Sequence, residues 1–450
     1  VPSNSRAIAY EVLLRVERDG AYANTALEAA LLREPDIDPR DTALTSELVH
    51  GVLRRQLALD AALAYAAERS LERIELPVRV LLRLGGYQLL YLDRVPEHAA
   101  VHETVELAKR VGLARAAGLT NAVLRRIARD PRVPLPDEAL ARISVEESHP
   151  LWLVRRWAAR FGVEEARALC HANNQPAPLC LRVNVTRTRR ETLLGAFRSA
   201  QPEAQIDLGR FADTALTLRG AGTATMLPGY REGDFQVQDE AAQLIGTFTD
   251  HRSGSGLDVC AAPGGKACHL AERSLHAGSA ILALDISSHK LRRVDAEAAR
   301  LKLSNLHSVA ADARSRLPVR PGSQHTVLVD APCSGLGTLR RHPELRYRRQ
   351  EEDLVRMSSL QWQILTSAAD CVAPGGTLTY AVCSGEPEEW AAHRNRFLGE
   401  RADFEPAPSP SESFGSEEAA ALVTPEGVFE TWPHRQGLDG FAAFRLRRTN

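Results

Sequence analysis

A chain of 450 residues, 44% hydrophobic and 25% charged with a formal net charge of −1, is long enough for two or three domains with buried cores. Those proportions exclude a disordered or fibrous protein, no apolar run approaches the roughly 18 residues of a membrane span, and the neutral balance excludes a globally basic surface, so any nucleic-acid contact must be local. Seven cysteines, an odd number without a C-x-x-C pair, fit neither a disulfide framework nor a common zinc spacing, which implies no metal site and a reducing cytoplasm.

No secretory signal precedes the first helical pattern, and a start at Val1 rather than Met reads as a trimmed one. From Arg6 to about Arg129 apolar residues recur at helical spacing, as in Ile8, Val12 and Val16 or Val101, Val105 and Ala108, without strand-like alternation. A helical bundle is expected, ending in "TNAVLRRIAR", whose Arg125, Arg126 and Arg129 suit either a solvated helix end or RNA. The prolines of "DPRVPLPDE" cannot continue a helix and place a boundary between residues 130 and 140. Up to about Gly233 helical pieces ("EEARALCHA") mix with short strands ("LCLRVNV", "ALTLRG"), the pattern of a small α/β domain. Beyond it "GLDVC", "AILALD", "NLHSVA", "HTVLVD" and "GTLTYAV" alternate with helices, the signature of a doubly wound parallel sheet that binds ligands beyond the carboxyl ends of its strands. The expected domains are 1–134, 140–232 and 233–450.

The first strand of that sheet runs into "CAAPGGK", Cys260 to Lys266, and then a helix. Small residues and the Gly264-Gly265 pair let backbone approach a ligand closely, and a helix N-terminus offers free N–H groups. The loop is no Walker motif, which would need Gly at Cys260 and Ser or Thr at Ala267, and it lacks G-x-G-x-x-G. Asp285 ends the second strand about 20 residues later, where a carboxylate meets ribose hydroxyls. Asp312 ends the third strand, at a place suited to an adenine amino group, and Asp330 the fourth. Only four of the 56 basic residues are lysine, and Lys266 is one of them. Cys170, Cys180, Cys260, Cys268 and Cys371 read as small buried hydrophobes.

"DAPCSG" and "YAVCSG" each carry a cysteine just past a strand. The fourth and fifth strands of such a sheet are neighbours, so Cys333 and Cys383 should emerge side by side at the ligand edge. Paired thiols there suit covalent chemistry on a ring such as cytosine, whose C5 becomes nucleophilic once a thiolate adds at C6, with Asp330 holding N3 and the amino group. Chemistry alone does not choose the attacking thiol.

"LDVCAAPGGK", "LDIS", "AADAR", "VLVDAPCSGLGTLRRHPELR" and "TYAVCSGEPEE" resemble the ordered motifs of the Sun/Fmu/NOL family of RNA 5-methylcytosine methyltransferases. The N-terminal bundle, including "TNAVLRR", resembles the antitermination factor NusB, and its union with the catalytic half through "SHPLWLVRRW" and "LRVNV" is similar to the bacterial small-subunit rRNA branch of that family. The resemblance implies a NusB-like RNA-binding bundle, a small α/β linker subdomain and a Rossmann-like class I methyltransferase domain. It implies S-adenosylmethionine against Cys260, Ala261, Ala262, Pro263, Gly264, Gly265 and Lys266, with Asp285 on the ribose, Asp312 near the adenine and Asp330 between cofactor and base. It assigns attack to Cys383 and a supporting role to Cys333. The implied partner is 16S rRNA or a small-subunit assembly intermediate, met by a monomer in the cytoplasm. The family often continues its sixth motif with Pro-Glu-Glu-Asn, whereas Trp390 follows Glu389 here.

"RRHPELRYRR", with five arginines and Tyr347 in ten residues, follows the Cys333 loop and is expected to contact RNA phosphates. Competing readings are another RNA cytosine-C5 methyltransferase, for instance one acting on tRNA, an inactive RNA-binding protein, and an NAD-dependent oxidoreductase, which Asp285 suits but the glycine loop does not.

Overall fold

Apolar residues at helical spacing build the N-terminal half as the sequence leads one to expect. The computed structural model describes residues 5–449, and Val1 lies outside them. Helices run over Ser5–Asp19, Ala23–Leu31, Pro39–Arg54, Gln56–Ala67, Leu76–Tyr91, Glu97–Arg110 and Ala117–Arg129. The third begins where Asp38 accepts from Arg40 N and Pro39 presets φ. Their inner faces, including Ile8, Val12, Val16, Leu81 and Leu124, form one core in which Leu13, Leu48 and Leu84 are fully buried, each worth about 1.5–3 kcal/mol relative to exposure. The proline-rich 130–138 is irregular, and helices Ala139–Glu146, Leu151–Phe161 and Val163–Asn173 follow.

Two compact units result, one of Val1–Pro176 with Leu339–Arg349 and one of Ala177–Thr338 with Gln350–Asn450. The first therefore includes the whole arginine-rich segment. Arg346 is completely buried, donating to Asn174 Oδ1 at 2.8 Å, Ser148 O at 3.2 Å and Asn173 O at 3.3 Å. The Arg348 guanidinium donates to Val16 O and Ala21 O, and none of the five arginines is exposed. The expected phosphate contact through Arg346 and Arg348 is thus corrected. Carbonyls near helix ends lack intrahelical donors, and the Arg346 and Arg348 guanidinium groups donate to two of them, Asn173 O and Val16 O.

The second unit opens with strands β1 (Leu179–Val183), β2 (Gln205–Leu208), β3 (Ala215–Arg219) and β4 (Phe235–Val237), an antiparallel sheet in the order β2-β3-β1-β4. The Arg190–Ala200 helix buries Leu193 and Phe197 against it. The larger sheet contains β5 (Gly256–Val259), β6 (Ile281–Asp285), β7 (Leu306–Ala310), β8 (Gln324–Asp330), β9 (Val372–Val382), β10 (Phe404–Pro406), β11 (Val428–Thr431) and β12 (Phe441–Arg448). Its order is β10-β12-β9-β8-β5-β6-β7, with β11 on β12; β5 to β9 pair in parallel, and β10, β11 and β12 are antiparallel additions. In parallel register β8 and β9 bring Asp330 opposite Ala381, so the two cysteine loops leave the sheet at one edge. Gly337 lies against the turn before β12: Gly440 N donates to Gly337 O at 2.7 Å, and a Cβ on Gly337 would stand 1.9 Å from Gly440 O, so only glycine fits.

Candidate active site

The chain turns sharply after β5. Cys260 takes φ +66° and Gly264 φ +107°, and a Cβ on Gly264 would press on Val294 at 3.3 Å. The loop is fastened by Ala261 N donating to Leu284 O and Gly264 N to Ala261 O, both at 2.8 Å. The Gly265–Ser274 helix starts from Gly264 without a side-chain cap, and the first N–H groups of a helix have no intrahelical acceptor. Asp285, nearly buried, accepts from Ala262 N at 3.3 Å through one oxygen and from Ser287 N at 2.8 Å through the other. Each oxygen keeps a lone pair for a further donor. Beside it Ile286 leaves an apolar side chain two-thirds exposed, a surface for a planar ring that sequence reasoning missed. A glycine cradle, unspent carboxylate capacity and an exposed aliphatic side chain together fit a nucleoside-type cofactor.

Asp312 behaves differently. Arg314 holds its carboxylate through Nε and a second guanidinium nitrogen at 2.5–3.0 Å, and that pairing lowers its pKa to about 2. It stays close enough to raise the Cys260 thiol electrostatically, after burial and the charges of Asp258, Asp330 and Asp285.

Lys266 Nζ lies 2.7 Å from Asp330 Oδ2 and 5.0 Å from the centre of the Phe441 ring. Burial opposes its charge, but Asp330 outweighs burial, and the pKa ends above the ordinary lysine value. The Cys383 charge acts in the same direction, so thiol and ammonium are electrostatic neighbours. Beneath them Asp258 is fully buried, with no hydrogen-bond partner for either carboxyl oxygen. Burial first, then the Asp330 charge, raises its pKa well above the carboxylate range. One apolar-flanked Asp inside a strand gives no sequence signal of this kind.

Cys333 Sγ and Cys383 Sγ are 3.2 Å apart, as adjacency of the two strands requires. The Cys333 thiol is pushed well up, first by its hydrogen bond to Cys383, then by burial, then by the charges of Cys383 and Glu389. Cys170, Cys180, Cys268 and Cys371 are buried, as expected of packing thiols, whereas Cys260 is half-buried in the loop. Trp390, which follows Glu389, donates from its indole to Gly385 O at 3.3 Å and so pins the second cysteine loop. Cys260 to Lys266, Asp285, Asp330, Cys333 and Cys383 are thus assembled at one sheet edge, with Asp312 paired outward beside them.

A glycine cradle and acid at the carboxyl edge of β7-β6-β5-β8-β9, closed by antiparallel strands, define a class I methyltransferase that uses S-adenosylmethionine. Residues 248–447 match the family described as 16S rRNA methyltransferase RsmB/F, residues 3–129 the NusB family, and residues 149–225 the ferredoxin-like domain of RsmF/B-like methyltransferases. The chain is 34% identical to the probable ribosomal RNA small subunit methyltransferase B of Bacillus subtilis (strain 168), covering 98% of both chains. It is 37% identical to the ribosomal RNA small subunit methyltransferase B of Pseudomonas putida, covering 86% of this chain and 87% of that one. It therefore belongs to the ribosomal RNA small subunit methyltransferase B family. The fold matches a crystal structure of PH0851 with a TM-score of 0.84 at 23% identity, over 100% of this chain and 99% of that one. It also matches that of NSun6 from Pyrococcus horikoshii with SFG, with a TM-score of 0.57 at 19% identity over 68% and 99%.

Proposed function

We propose that the chain methylates carbon 5 of a cytosine in 16S rRNA through a covalent bond between Cys383 and C6. The observation that carries this reading is the 3.2 Å contact of the two sulfurs beside the Lys266–Asp330 pair. S-adenosylmethionine, when bound, supplies an electrophilic methyl group; the loop Cys260–Lys266 and Asp285 would hold it, with Asp312 at the adenine side.

The chain's own residues manage the base. Asp330 accepts from the amino group, and the Lys266 ammonium offsets the charge that attack at C6 pushes into the ring. The same ammonium lies beside Cys383, whereas Cys333, set against burial and the Glu389 charge, keeps its proton. That asymmetry supports Cys383 as nucleophile. After methyl transfer Cys333 yields its own proton to solvent, and its thiolate then takes the C5 proton, the electron pair of that C–H bond restoring the C5=C6 double bond as the Cys383–C6 bond breaks.

Domains of 1–134, 140–232 and 233–450 remain the working division, with a monomer acting in the cytoplasm on rRNA or an assembly intermediate. Among the described residues no helix is long and apolar enough to cross a membrane. The test is a pair of variants incubated with cofactor and 16S rRNA. Cys383→Ala should lose turnover and give no adduct. Cys333→Ala should accumulate a protein–RNA complex stable to denaturant. The reverse pattern makes Cys333 the nucleophile, and methylation of tRNA alone would replace the rRNA reading.

A further inference from the structure

The two Cys-Ser-Gly stretches share more than a thiol. Behind the sulfurs the hydroxyls of Ser334 and Ser384 meet at 3.1 Å, both completely buried. Glu389, also completely buried, closes the arrangement. Its Oε1 accepts from Ser334 N at 2.7 Å and Gln361 Nε2 at 3.0 Å, and its Oε2 accepts from Ser334 Oγ at 2.6 Å. Gln361 Nε2 also donates to Pro332 O at 2.9 Å, and Tyr380, on the strand that delivers Cys383, donates to the backbone oxygen of Glu389 at 2.8 Å. Ser384 Oγ accepts from Glu386 N at 3.2 Å.

The donors on the carboxyl group are neutral, and one of them is the backbone N–H immediately after Cys333. A carboxylate removed from water is costly unless its oxygens are filled, and a spacer between loops could have been apolar at lower cost. Position and charge both act on the reacting atoms. The groups around Cys333 are Cys383 and Tyr380 from β9 and its end, Glu389 from the turn that follows, and Asp330 with Lys266 on the cofactor side.

We propose that Glu389 is the positioning residue of the thiol pair: it fixes the Asp330–Gly335 loop to the Tyr380–Gly385 loop so that both sulfurs reach one base. The proposal rests on the cysteine chemistry above, and its test separates the two. Glu389→Gln preserves volume while removing the charge and one acceptor.

In the full chain, kcat should fall at least about tenfold, while KM for rRNA and the affinity for S-adenosylhomocysteine stay within about threefold. In a Cys383→Ala background, the pH midpoint for alkylation of Cys333 by iodoacetamide, followed by peptide mass spectrometry, should move to lower pH when Glu389→Gln is added. Cofactor affinity falling in step with kcat, or an unmoved midpoint, overturns the proposal. Should Glu389→Gln not fold, Ser384→Ala breaks the same bridge from the other loop, and a kcat within about twofold of the parent then refutes the clamp. The alkylation midpoint needs no RNA, so a shifted midpoint in a chain that never methylates rRNA would sink the functional reading and leave Glu389 in its role.

Discussion

His393 stands one residue pair behind the thiols and shows how a buried neutral group makes this site sensitive to acid. It is almost completely buried, with Nε2 at 3.2 Å from Gln361 Oε1 and its ring stacked on Trp362 at 5.9 Å. Burial, assisted by the Arg396 charge, lowers its pKa to about 4. The unfolded chain protonates near pH 6.5, so between those values only the unfolded state gains a proton. Stability contributed by the neutral ring is therefore complete above pH 6.5 and is lost as pH falls towards 4. Urea unfolding at pH 7 and pH 5 should show His393 accounting for about 1–2 kcal/mol of the loss, after discounting for residual solvent screening. His393→Phe should flatten the pH dependence by that amount; an unchanged slope would mean that the ring is already charged in the folded state. Cys333, Cys383, Asp330 and the glycine loop were legible in the sequence because each follows a strand of recognisable composition. Glu389, Gln361 and His393 were not, since their importance lies in burial and partners that no spacing encodes.

At the scale of elements, the parallel strands were legible as apolar runs ending in Asp or Cys, while β10, β11 and β12 escaped notice because alternating antiparallel pieces with arginines resemble loops. A second hidden device joins the small sheet to the cofactor loop. Arg182 on β1 is completely buried and donates to both carboxyl oxygens of Glu272, at 2.6 and 3.1 Å, to Gln236 Oε1 at 2.8 Å, to Gln238, and to the backbone oxygen of Gly265 at 2.8 Å. Glu272 lies on the helix that starts at that glycine, so one guanidinium holds both its first turn and its third. Breaking a buried pair leaves the other charge uncompensated, whereas removing both members can be nearly neutral. Arg182→Met should thus destabilise the chain by about 3–5 kcal/mol in denaturant titrations, and adding Glu272→Leu should recover most of it. Affinity for S-adenosylhomocysteine should stay reduced in both, because the Gly265 carbonyl has lost its donor in each. Full recovery of affinity in the double variant would limit Arg182 to stability.

At the scale of the whole molecule, the chain passes between its compact units three times, at 176/177, 338/339 and 349/350. In the sequence the Arg340–Arg349 segment between the last two passages reads as a phosphate-contacting stretch, since a count of charges does not reveal whether guanidinium groups meet phosphates or carbonyls. Leu339–Arg349 is instead built into the helical unit: Glu344 Oε1 accepts from Ala23 N at 3.0 Å, Tyr347 donates to Ser148 O at 3.0 Å, and Arg346 fills its carbonyl-lined socket. One cut at the exposed Gln175–Pro176 stretch should therefore leave two fragments that still co-elute in size exclusion without denaturant. Arg346→Ala should cost about 3 kcal/mol, since it strands buried acceptors and opens a cavity, and should loosen the cut pair. The same substitution in the intact chain should leave the salt dependence of RNA binding as it was, because a completely buried guanidinium releases no counterions from phosphate. A flattened salt slope without loss of stability would return this segment to the RNA surface, and fragments that separate at once would show that eleven residues do not hold it in place.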